Sequence, residues 1–342
     1  MKKIASLLLP LLIASCTQQM EDTTKRRIVL QPDWVSDLKS PIQSDNSVVL
    51  LLPLSGTNQD LGRNVLNACI LAARNSKITY HIIDTADCPD DLNRSSFRNI
   101  KAVIGPVFFN EIYKYGAIFN EIPILSLSNN LNADNERICA CGLSPKEEIA
   151  AIFKYIKQNK IRTITIAAPR GKLFDDIVEL IQKEAQIENI AEEYFTLIRY
   201  DSPQNFDNIA GSGAAVFIFE PLININKFPQ TSFFTLSSIA LSDSKKWENV
   251  KFAYADNKQQ QDFISEYQRC FKDTPTVMSL AAYDLMTALE QSITDNKTIY
   301  DTEFTGTLGN FSFRKGKGLS RNLEILQIVN GDKVLAENNN TQ

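Results

Sequence analysis

Short apolar runs alternate with amphipathic stretches along most of the chain, starting at residue 48. The first run, VVLLLPL at 48–54, is continuous, as expected for a strand buried on both faces, and it leads into Ser55-Gly56. The next stretch, at 60–75, carries apolar residues at the spacing of a helix. Further strands are predicted at 78–84, 102–105 and 123–126, with helices near 91–100 and 111–120. This alternation predicts a parallel sheet with helices on both faces.

The alternation begins again after a short apolar strand at 139–142. The helix that follows, at 145–159, has Ser144 in the N-cap position and Glu147 where a capping box places its acid. The remaining pattern predicts strands at 163–168, 193–198, 214–220, 232–236, 250–255, 309–313 and 323–329, the last two joined through 315–318, and helices at 173–187, 260–271 and 277–293. Two successive α/β units predict an α/β fold of two lobes, each a mainly parallel sheet flanked by helices, with a cleft between them.

The chain begins with a short apolar segment behind two positive charges. Lys2 and Lys3 precede the apolar run at 4–13, which is too short to cross a bilayer and is typical of a signal peptide. The sequence IASC, which ends at Cys16, resembles a bacterial lipobox, in which the cysteine is diacylated and becomes the first residue of the mature chain. We therefore expect a signal peptide at 1–15 and lipidation at Cys16, because two acyl chains hold a protein stably on a membrane.

The lipid would hold the folded body on a bacterial membrane, facing the periplasm. Residues 16–45 are polar with scattered proline and serine, which is typical of a tether. Thr17 stands where an aspartate would favour retention at the inner membrane, so the outer membrane is favoured. No later stretch approaches 18 uninterrupted apolar residues, so the sequence predicts no other membrane-spanning segment.

Composition and charge narrow the possible functions. The 342 residues include 36 lysines and arginines against 40 acidic residues, which gives a net charge of −4 and argues against a nucleic-acid partner. His81 is the single histidine, which excludes multi-histidine metal sites. It lies in a predicted strand, where packing is a more common role for histidine than catalysis. Because no nucleophile elbow, P-loop or dinucleotide-binding turn occurs, we expect neither an enzyme nor a cofactor, and no metal.

The six cysteines divide into Cys16, assigned to lipid, and five others. Because the periplasm is oxidising, disulfides are expected there, and an odd number of cysteines leaves at least one thiol free. The sequence leaves the pairing open among four candidates, Cys69, Cys88, Cys139 and Cys141, with Cys270 as the fifth thiol. A zinc site would require all four candidates to converge.

Several segments resemble type I periplasmic binding proteins of the leucine-binding kind. They are VVLLLPLSG at 48–56, AVIGP at 102–106, EIPILSLSNN at 121–130, SLAAYDLMTAL at 279–289 and GTLGNFSFRKGKG at 306–318, which resembles the start of the terminal hairpin of that family. Their order and spacing, rather than any single motif, carry the resemblance, which extends over 46–336. The combination LPLSG behind a lipobox is especially similar to the penicillin-binding-protein-activator branch, whose members are lipoproteins that stimulate peptidoglycan synthases.

The resemblance implies a two-lobed type I periplasmic-binding-protein fold. The first lobe would comprise 46–142 plus 256–295 and the second 143–255 plus 296–336, with a polar tail at 337–342. Strands crossing between the lobes would form a hinge, and the lobes would close around a ligand. Leucine-binding relatives have a disulfide whose first position corresponds to Cys88, but Phe108 or Phe109 stands where its partner would be.

Ligands of open α/β sheets bind outside the carboxyl ends of the strands. Residues at those ends are Ser55, Gly56, Pro106, Val107, Phe108, Ser126, Ser128 and Asn129 in the first lobe, and Arg170 and Glu220 in the second. Each one alone fits ordinary turn and cap chemistry, whereas together they define a candidate cleft. Amino-acid-binding relatives carry small hydroxyl residues where this chain has Val107 and Phe108, which disfavours a branched-chain amino acid. A peptide, a glycan strand or a protein partner would suit the apolar cleft mouth better.

The sequence therefore favours a non-enzymatic, substrate-binding lipoprotein that binds a small ligand or peptide between its lobes. Its task would be transport, together with an ABC transporter permease, or sensing. The alternative is a regulator that activates a peptidoglycan synthase through protein–protein contact. A third and weaker hypothesis is a hydrolase that uses His81.

Overall fold

The computed structural model describes residues 46–337 apart from 89–91, 94–96, 98, 130–135, 202–213, 222–224, 226–227, 241–243, 301 and 316–317. The expected signal peptide at 1–15, the lipidated Cys16 and the tether up to residue 45 lie outside the described residues, as does most of the tail at 337–342. Within the described part, no helix is both long and apolar enough to span a membrane.

Strands and helices are interspersed along the described chain up to residue 294, and the described elements after it are strands. The strands are β1 (Ser47–Leu52), β2 (Thr79–Asp84), β3 (Ile100–Ile104), β4 (Ile124–Ser126), β5 (Ile138–Ala140), β6 (Thr163–Pro169), β7 (Phe195–Tyr200), β8 (Ala214–Ile218), β9 (Ser232–Phe234), β10 (Val250–Tyr254), β11 (Glu303–Gly306), β12 (Gly309–Arg314), β13 (Gly318–Arg321), β14 (Glu324–Val329) and β15 (Asp332–Leu335). The α-helices are α1 (Gln59–Ala72), α2 (Phe109–Ile118), α3 (Pro145–Gln158), α4 (Lys172–Ile187), α5 (Ser237–Ala240), α6 (Lys258–Phe271) and α7 (Val277–Thr294).

The first sheet is wholly parallel, with the strand order β2-β1-β3-β4-β5. All six residues of β1 are buried, as its continuous apolar run predicts, because neighbouring strands and helices cover both of its faces. Helix α1 is buried without a break from Asn64 to Leu71, and it packs against α7. Gly62 in α1 permits a close approach to the end of β1, since a Cβ there would stand 1.9 Å from the Pro53 carbonyl oxygen.

The second sheet has the order β15-β14-β10-β9-β8-β6-β7. Its strands from β10 to β7 are parallel, and β14 and β15 add an antiparallel edge. Helices α3 and α4 pack against each other, and Phe153 of α3 packs its ring 5.9 Å from that of Phe217 in β8. The two parallel sheets with flanking helices confirm the predicted fold class.

A third, antiparallel sheet has the order β11-β12-β13. Phe304, Phe311 and Phe313 pack together in it, with ring centroids 5.6 to 6.0 Å apart. The expectation that the strands near 309–313 and 323–329 pair as a terminal hairpin is wrong: β12 pairs with β11 and β13, whereas β14 pairs with β10 and β15. The reason is an additional strand, β13, which pairs with β12 in the place where the following strand was expected.

Two local predictions differ from the structure. None of the described residues in the helix expected near 91–100 is helical, and Ile100 already belongs to β3. The strand expected from 193 begins at Phe195, because 192–194 form a 3₁₀ turn. The predicted N-cap is confirmed, since the Ser144 hydroxyl accepts a hydrogen bond from the Lys146 N–H. The Glu147 carboxylate accepts one from the backbone N–H of Arg321.

Candidate functional site

A pocket of about 390 Å³ lies at the carboxyl ends of β1, β2 and β3. Its lining consists of Pro53, Ser55, Thr57, Asn58, Thr85, Ala86, Phe108, Asn110 and Glu111. Two of the residues expected from the sequence, Ser55 and Phe108, are therefore brought together here. Gly56 lies beside Ser55, at the start of a 3₁₀ turn, with a positive φ of 69°.

The carboxylate of Asp84 orders the loops around this pocket. Its Oδ1 accepts hydrogen bonds from the backbone N–H groups of Leu54, at 2.8 Å, and Ala86, at 3.0 Å. Burial alone would raise the pKa of Asp84, but the hydrogen bond from the Ser55 side chain and those from the backbone hold that pKa below its usual value. Asp84 therefore remains negatively charged at neutral pH and fixes the first loop against the second.

Glu111, in the first turn of α2, supplies a second acidic group. Its Oε2 and the hydroxyl of Thr85 are both buried in this lining, and the two side chains lie within reach of each other, since a hydrogen bond from Thr85 lowers the pKa of Glu111. Burial has the larger effect and raises that pKa. A buried carboxylate with one hydroxyl neighbour can accept further hydrogen bonds, so this wall of the pocket suits a ligand that donates them. Both residues are additions to the predicted set: Thr85 directly follows the predicted strand at 78–84, and Glu111 begins the predicted helix at 111–120.

Ser126, at the end of β4, was predicted as a ligand-binding residue and has a structural role. Ser126 is fully buried, donates a hydrogen bond to the Pro106 carbonyl at 2.8 Å and accepts one from the Ser128 N–H at 3.1 Å. Val107 is also buried, and Asn129 is exposed. Ser126 thus ties the ends of β3 and β4 together, and it does not line the pocket.

On the second sheet, Arg170 and Glu220 both lie at the carboxyl ends of strands, as predicted. The guanidinium Nε of Arg170 stands 3.4 Å from the Asp201 carboxylate, and both side chains are exposed. Glu220 lies beside Tyr200, at the end of β7, and burial together with the nearby carboxylate raises the pKa of that tyrosine. The Glu220 Oε2 is buried without a hydrogen-bond partner among the described residues. Tyr200 is a further polar group that the sequence analysis missed.

No disulfide joins the five cysteines of the described residues, so the expected pairing is not formed there. Cys69 lies near Tyr80, whereas Cys88 lies near Tyr115. Cys139 and Cys141 are neighbours that remain reduced, with their Sγ atoms 3.4 Å apart.

His81 lies in β2, as predicted, with its ring centroid 5.0 Å from that of Phe97, and burial lowers its pKa. The described residues contain no cluster of three or more side chains that could hold a metal ion.

The profile of one protein family, described as "LppC putative lipoprotein", matches residues 24–208, more than half of the chain. The chain belongs to this LppC family. Among curated relatives, the penicillin-binding protein activator LpoA of Pasteurella multocida is 28% identical over 137 residues, which cover 37% of this chain and 24% of the relative. LpoA of Pectobacterium parmentieri is 30% identical over 110 residues, which cover 31% of this chain and 16% of the relative. The matched part of the chain therefore spans about a quarter or less of these relatives.

Solved structures match over a larger share of the chain. The LpoA C-domain from Haemophilus influenzae, described as a regulator of PBP1A, is 17% identical, with a TM-score of 0.63 over 85% of this chain and 100% of that one. A putative branched-chain amino acid ABC transporter protein from Rhodospirillum rubrum is 14% identical, with a TM-score of 0.70 over 86% of this chain and 100% of that one. A leucine-binding protein from Thermotoga maritima is a further neighbour, with a TM-score of 0.53 over 86% of this chain and 98% of that one. These likenesses confirm the type I periplasmic-binding-protein fold.

Proposed function

We propose that this LppC-family chain is a membrane-anchored lipoprotein, facing the periplasm, that regulates a peptidoglycan synthase through protein–protein contact. The observation that carries the proposal is the sequence match to penicillin-binding protein activators, which adds to the family assignment. The sequence alone placed substrate binding for transport first and this activator role second. The comparisons favour the second reading, because the sequence relatives found are activators and the solute-binding proteins are similar in fold.

The geometry of the pocket at the strand ends also favours the activator role over amino-acid binding. A ligand with an α-carboxylate needs hydroxyl or N–H donors, which the hydroxyl and amide side chains of the lining could offer, but the lining also contains the Glu111 carboxylate, with Asp84 beside it, and no lysine or arginine. Ser126, the hydroxyl expected to help, is used between two strands. An anionic amino-acid carboxylate would therefore meet charge repulsion here.

The proposal also includes the division of the chain into lobes at 46–142 plus 256–295 and 143–255 plus 296–336. Asn64 in α1 supports the assignment of the late helices to the first lobe: its side chain accepts hydrogen bonds from the Thr276 N–H and the Ser279 hydroxyl. Its carbonyl oxygen accepts one from the Tyr267 hydroxyl. The third sheet contacts both lobes, because the Thr307 N–H donates to Asp284 of α7 while β13 leads directly into β14.

The decisive experiment measures glycan-strand synthesis by a purified peptidoglycan synthase of the same bacterium, with fluorescent lipid II as substrate. We expect the full-length lipoprotein, in detergent, to raise the initial rate several-fold and to bind the immobilised synthase directly. A solute-binding protein of the same fold serves as the control and should leave the rate unchanged. Absence of both binding and stimulation would overturn the proposal.

A second candidate function rests on the buried oxygens of Glu111 and Thr85, which lie beside each other at the pocket wall. These acceptors in a pocket of about 390 Å³ favour a small ligand that carries an amine. A thermal-shift screen of amines, amino-sugars and short peptides tests this, and the ligand found should lose at least tenfold in affinity in Glu111→Gln. Glu193→Gln, an exposed site on the second sheet's side of the chain, is the matched control. A screen without any shift would exclude this function.

A further inference from the structure

A second pocket, of about 360 Å³, lies between α6, α7, the end of α1 and β11. We call it the lateral pocket and define it by Asp262, Phe263, Glu266, Tyr283 and Asp284, with Gln291 at its exposed rim. It shares no lining residue with the pocket at the strand ends. Neither of the two functions proposed above uses the lateral pocket.

Aromatic rings form one wall of the lateral pocket. The rings of Phe263 and Tyr283 stand 4.6 Å apart between centroids, with a tilt of 48°. Phe263 is buried and holds the position of Tyr283, which is half-buried. The face of an aromatic ring attracts a cation, and the attraction strengthens where water is partly excluded.

Carboxylates outnumber cations in the lining. Asp262, Glu266 and Asp284 face a single basic group, Arg74, within the described lining. Two arginines neutralise Glu266: Arg74 Nη1 pairs with its Oε1 at 3.1 Å, and Arg269 pairs with it at 2.6 Å. The side chain of Asp262 is exposed and makes no hydrogen bond or ion pair within the described part of the chain.

Asp284 and Tyr283 form the inner part of the pocket. Asp284 accepts hydrogen bonds from the Thr307 N–H at 2.6 Å and the Leu308 N–H at 3.0 Å, and burial raises its pKa. Burial, Asp284 and Glu266 together raise the pKa of Tyr283, so its hydroxyl keeps its proton and the ring is neutral. The pocket therefore presents a neutral aromatic face beside the exposed carboxylate of Asp262.

We infer that the lateral pocket binds a lysine or arginine side chain from an extended basic segment of a partner protein. A guanidinium or ammonium group would lie against the Tyr283 ring and pair with Asp262, which combines cation–π attraction with a charge-assisted hydrogen bond. Complementary charge also steers the encounter of the two proteins. The inference adds a second contact surface to the proposed function and rests on it only for the identity of the partner.

The test measures binding of a fluorescein-labelled peptide of alternating glycine and arginine, eight residues long, to the full-length lipoprotein in detergent. We expect fluorescence anisotropy to show binding that weakens as salt is raised. Asp262→Asn and Gln291→Lys should each weaken the binding at least threefold, the first by removing the partner charge and the second by placing a competing cation at the rim. Glu193→Gln removes the same charge as Asp262→Asn but lies outside the pocket, and it should change the affinity less than 1.5-fold.

Three outcomes would overturn the inference. They are no binding of the arginine peptide, equal weakening by Asp262→Asn and Glu193→Gln, and stronger Asp262-dependent binding of a chito-oligosaccharide than of the peptide. Synthase stimulation, measured on the same variants, separates this inference from the proposed function. Stimulation without peptide binding leaves the activator role intact, whereas peptide binding without stimulation leaves only the lateral pocket.

Discussion

The carboxyl group of Glu148 lies in the interior of the second α/β unit, where only 2% of the residue is exposed. Its Oε2 accepts a hydrogen bond from the Ser237 N–H at 2.6 Å. Burial nevertheless raises its pKa from 4.5 to about 8, because desolvation disfavours the charged form more than this hydrogen bond favours it. The folded chain thus holds a proton on Glu148 at pH values where the unfolded chain has released it.

This difference predicts a pH-dependent stability. Because the pKa of Glu148 is higher in the folded state, its contribution to the free energy of unfolding is complete below pH 4.5 and is lost as pH rises toward about 8. The loss is roughly 1.4 kcal/mol for each pKa unit between the folded and unfolded states. Glu148→Gln, which is neutral at every pH, should remove this fall. Urea unfolding between pH 5 and 8.5 measures it, with Glu179→Gln, at an exposed ion pair, as the control. Identical pH profiles for wild type and Glu148→Gln would contradict the assignment.

The five described thiols should also differ in reactivity. Cys69, Cys139 and Cys141 are buried, and burial raises the pKa of Cys69 to about 12, whereas Cys88 and Cys270 are half-buried. In a Cys16→Ser variant at pH 8, we expect an aromatic disulfide reagent to label the two half-buried cysteines before the buried ones, because the reagent reaches them. Cys270 should react more slowly than its exposure alone would give, since burial and Glu266 raise its pKa and the thiolate is the reacting form. The other three should react only after urea is added. Fewer than five reactive thiols in urea would indicate a disulfide that the structure lacks.

At the scale of single elements, two helices contain a glycine in different surroundings. A Cβ at Gly62 would stand 1.9 Å from the backbone oxygen of Pro53, whereas one at Gly116 of α2 would meet its nearest neighbour, Ile138 Cδ1, at 3.5 Å. The first distance requires the backbone to move, and the second is an ordinary contact. The same substitution should therefore have opposite effects at the two sites.

Gly62→Ala should destabilise the fold by about 1–3 kcal/mol, because the added methyl forces α1 away from β1. Gly116→Ala should leave stability unchanged or raise it by up to about 1 kcal/mol, since alanine is the better helix former. Chemical unfolding of both variants measures the difference, and each is the control for the other. Similar effects at both sites would show that helix propensity, rather than the contact with Pro53, governs Gly62.

The elements that the sequence predicted well are those with strong local periodicity, such as β1, α1 and α7. The missed strand β13 reads GLSR, with one large apolar residue, and forms only because β12 lies beside it. The candidate site was also predicted only in part. Strand ends can be located from the pattern, which gave Ser55 and Phe108. The direction of a side chain depends on packing between distant segments, so Ser126 was wrongly expected in the pocket and Glu111 was overlooked.

At the scale of the whole molecule, the lipid on Cys16 would confine the protein to a membrane surface. Cys16→Ser should move the protein from the membrane pellet to the soluble periplasmic fraction, because the polar tether offers no apolar replacement for the acyl chains. Thr17→Asp retains the lipid and should keep the protein on a membrane, with a shift toward the inner-membrane fraction. Fractionation and immunoblotting measure both, and a Cys16→Ser protein that stays in the pellet would contradict lipidation as the anchor.

The hydrogen bonds of Asn64 join α1 to Tyr267 and Thr276. Both residues come later in the sequence than the parallel strands of the second sheet. The first sheet ends at Ala140, but α6 and α7, which pack on α1, begin only at Lys258 and Val277. A nascent polypeptide that has emerged as far as β10 therefore has the strands of its first unit together with α1 and α2, but without the two helices that pack on α1. We expect a product that ends there to remain sensitive to proteases, and the chain to become resistant only when its last quarter has been translocated.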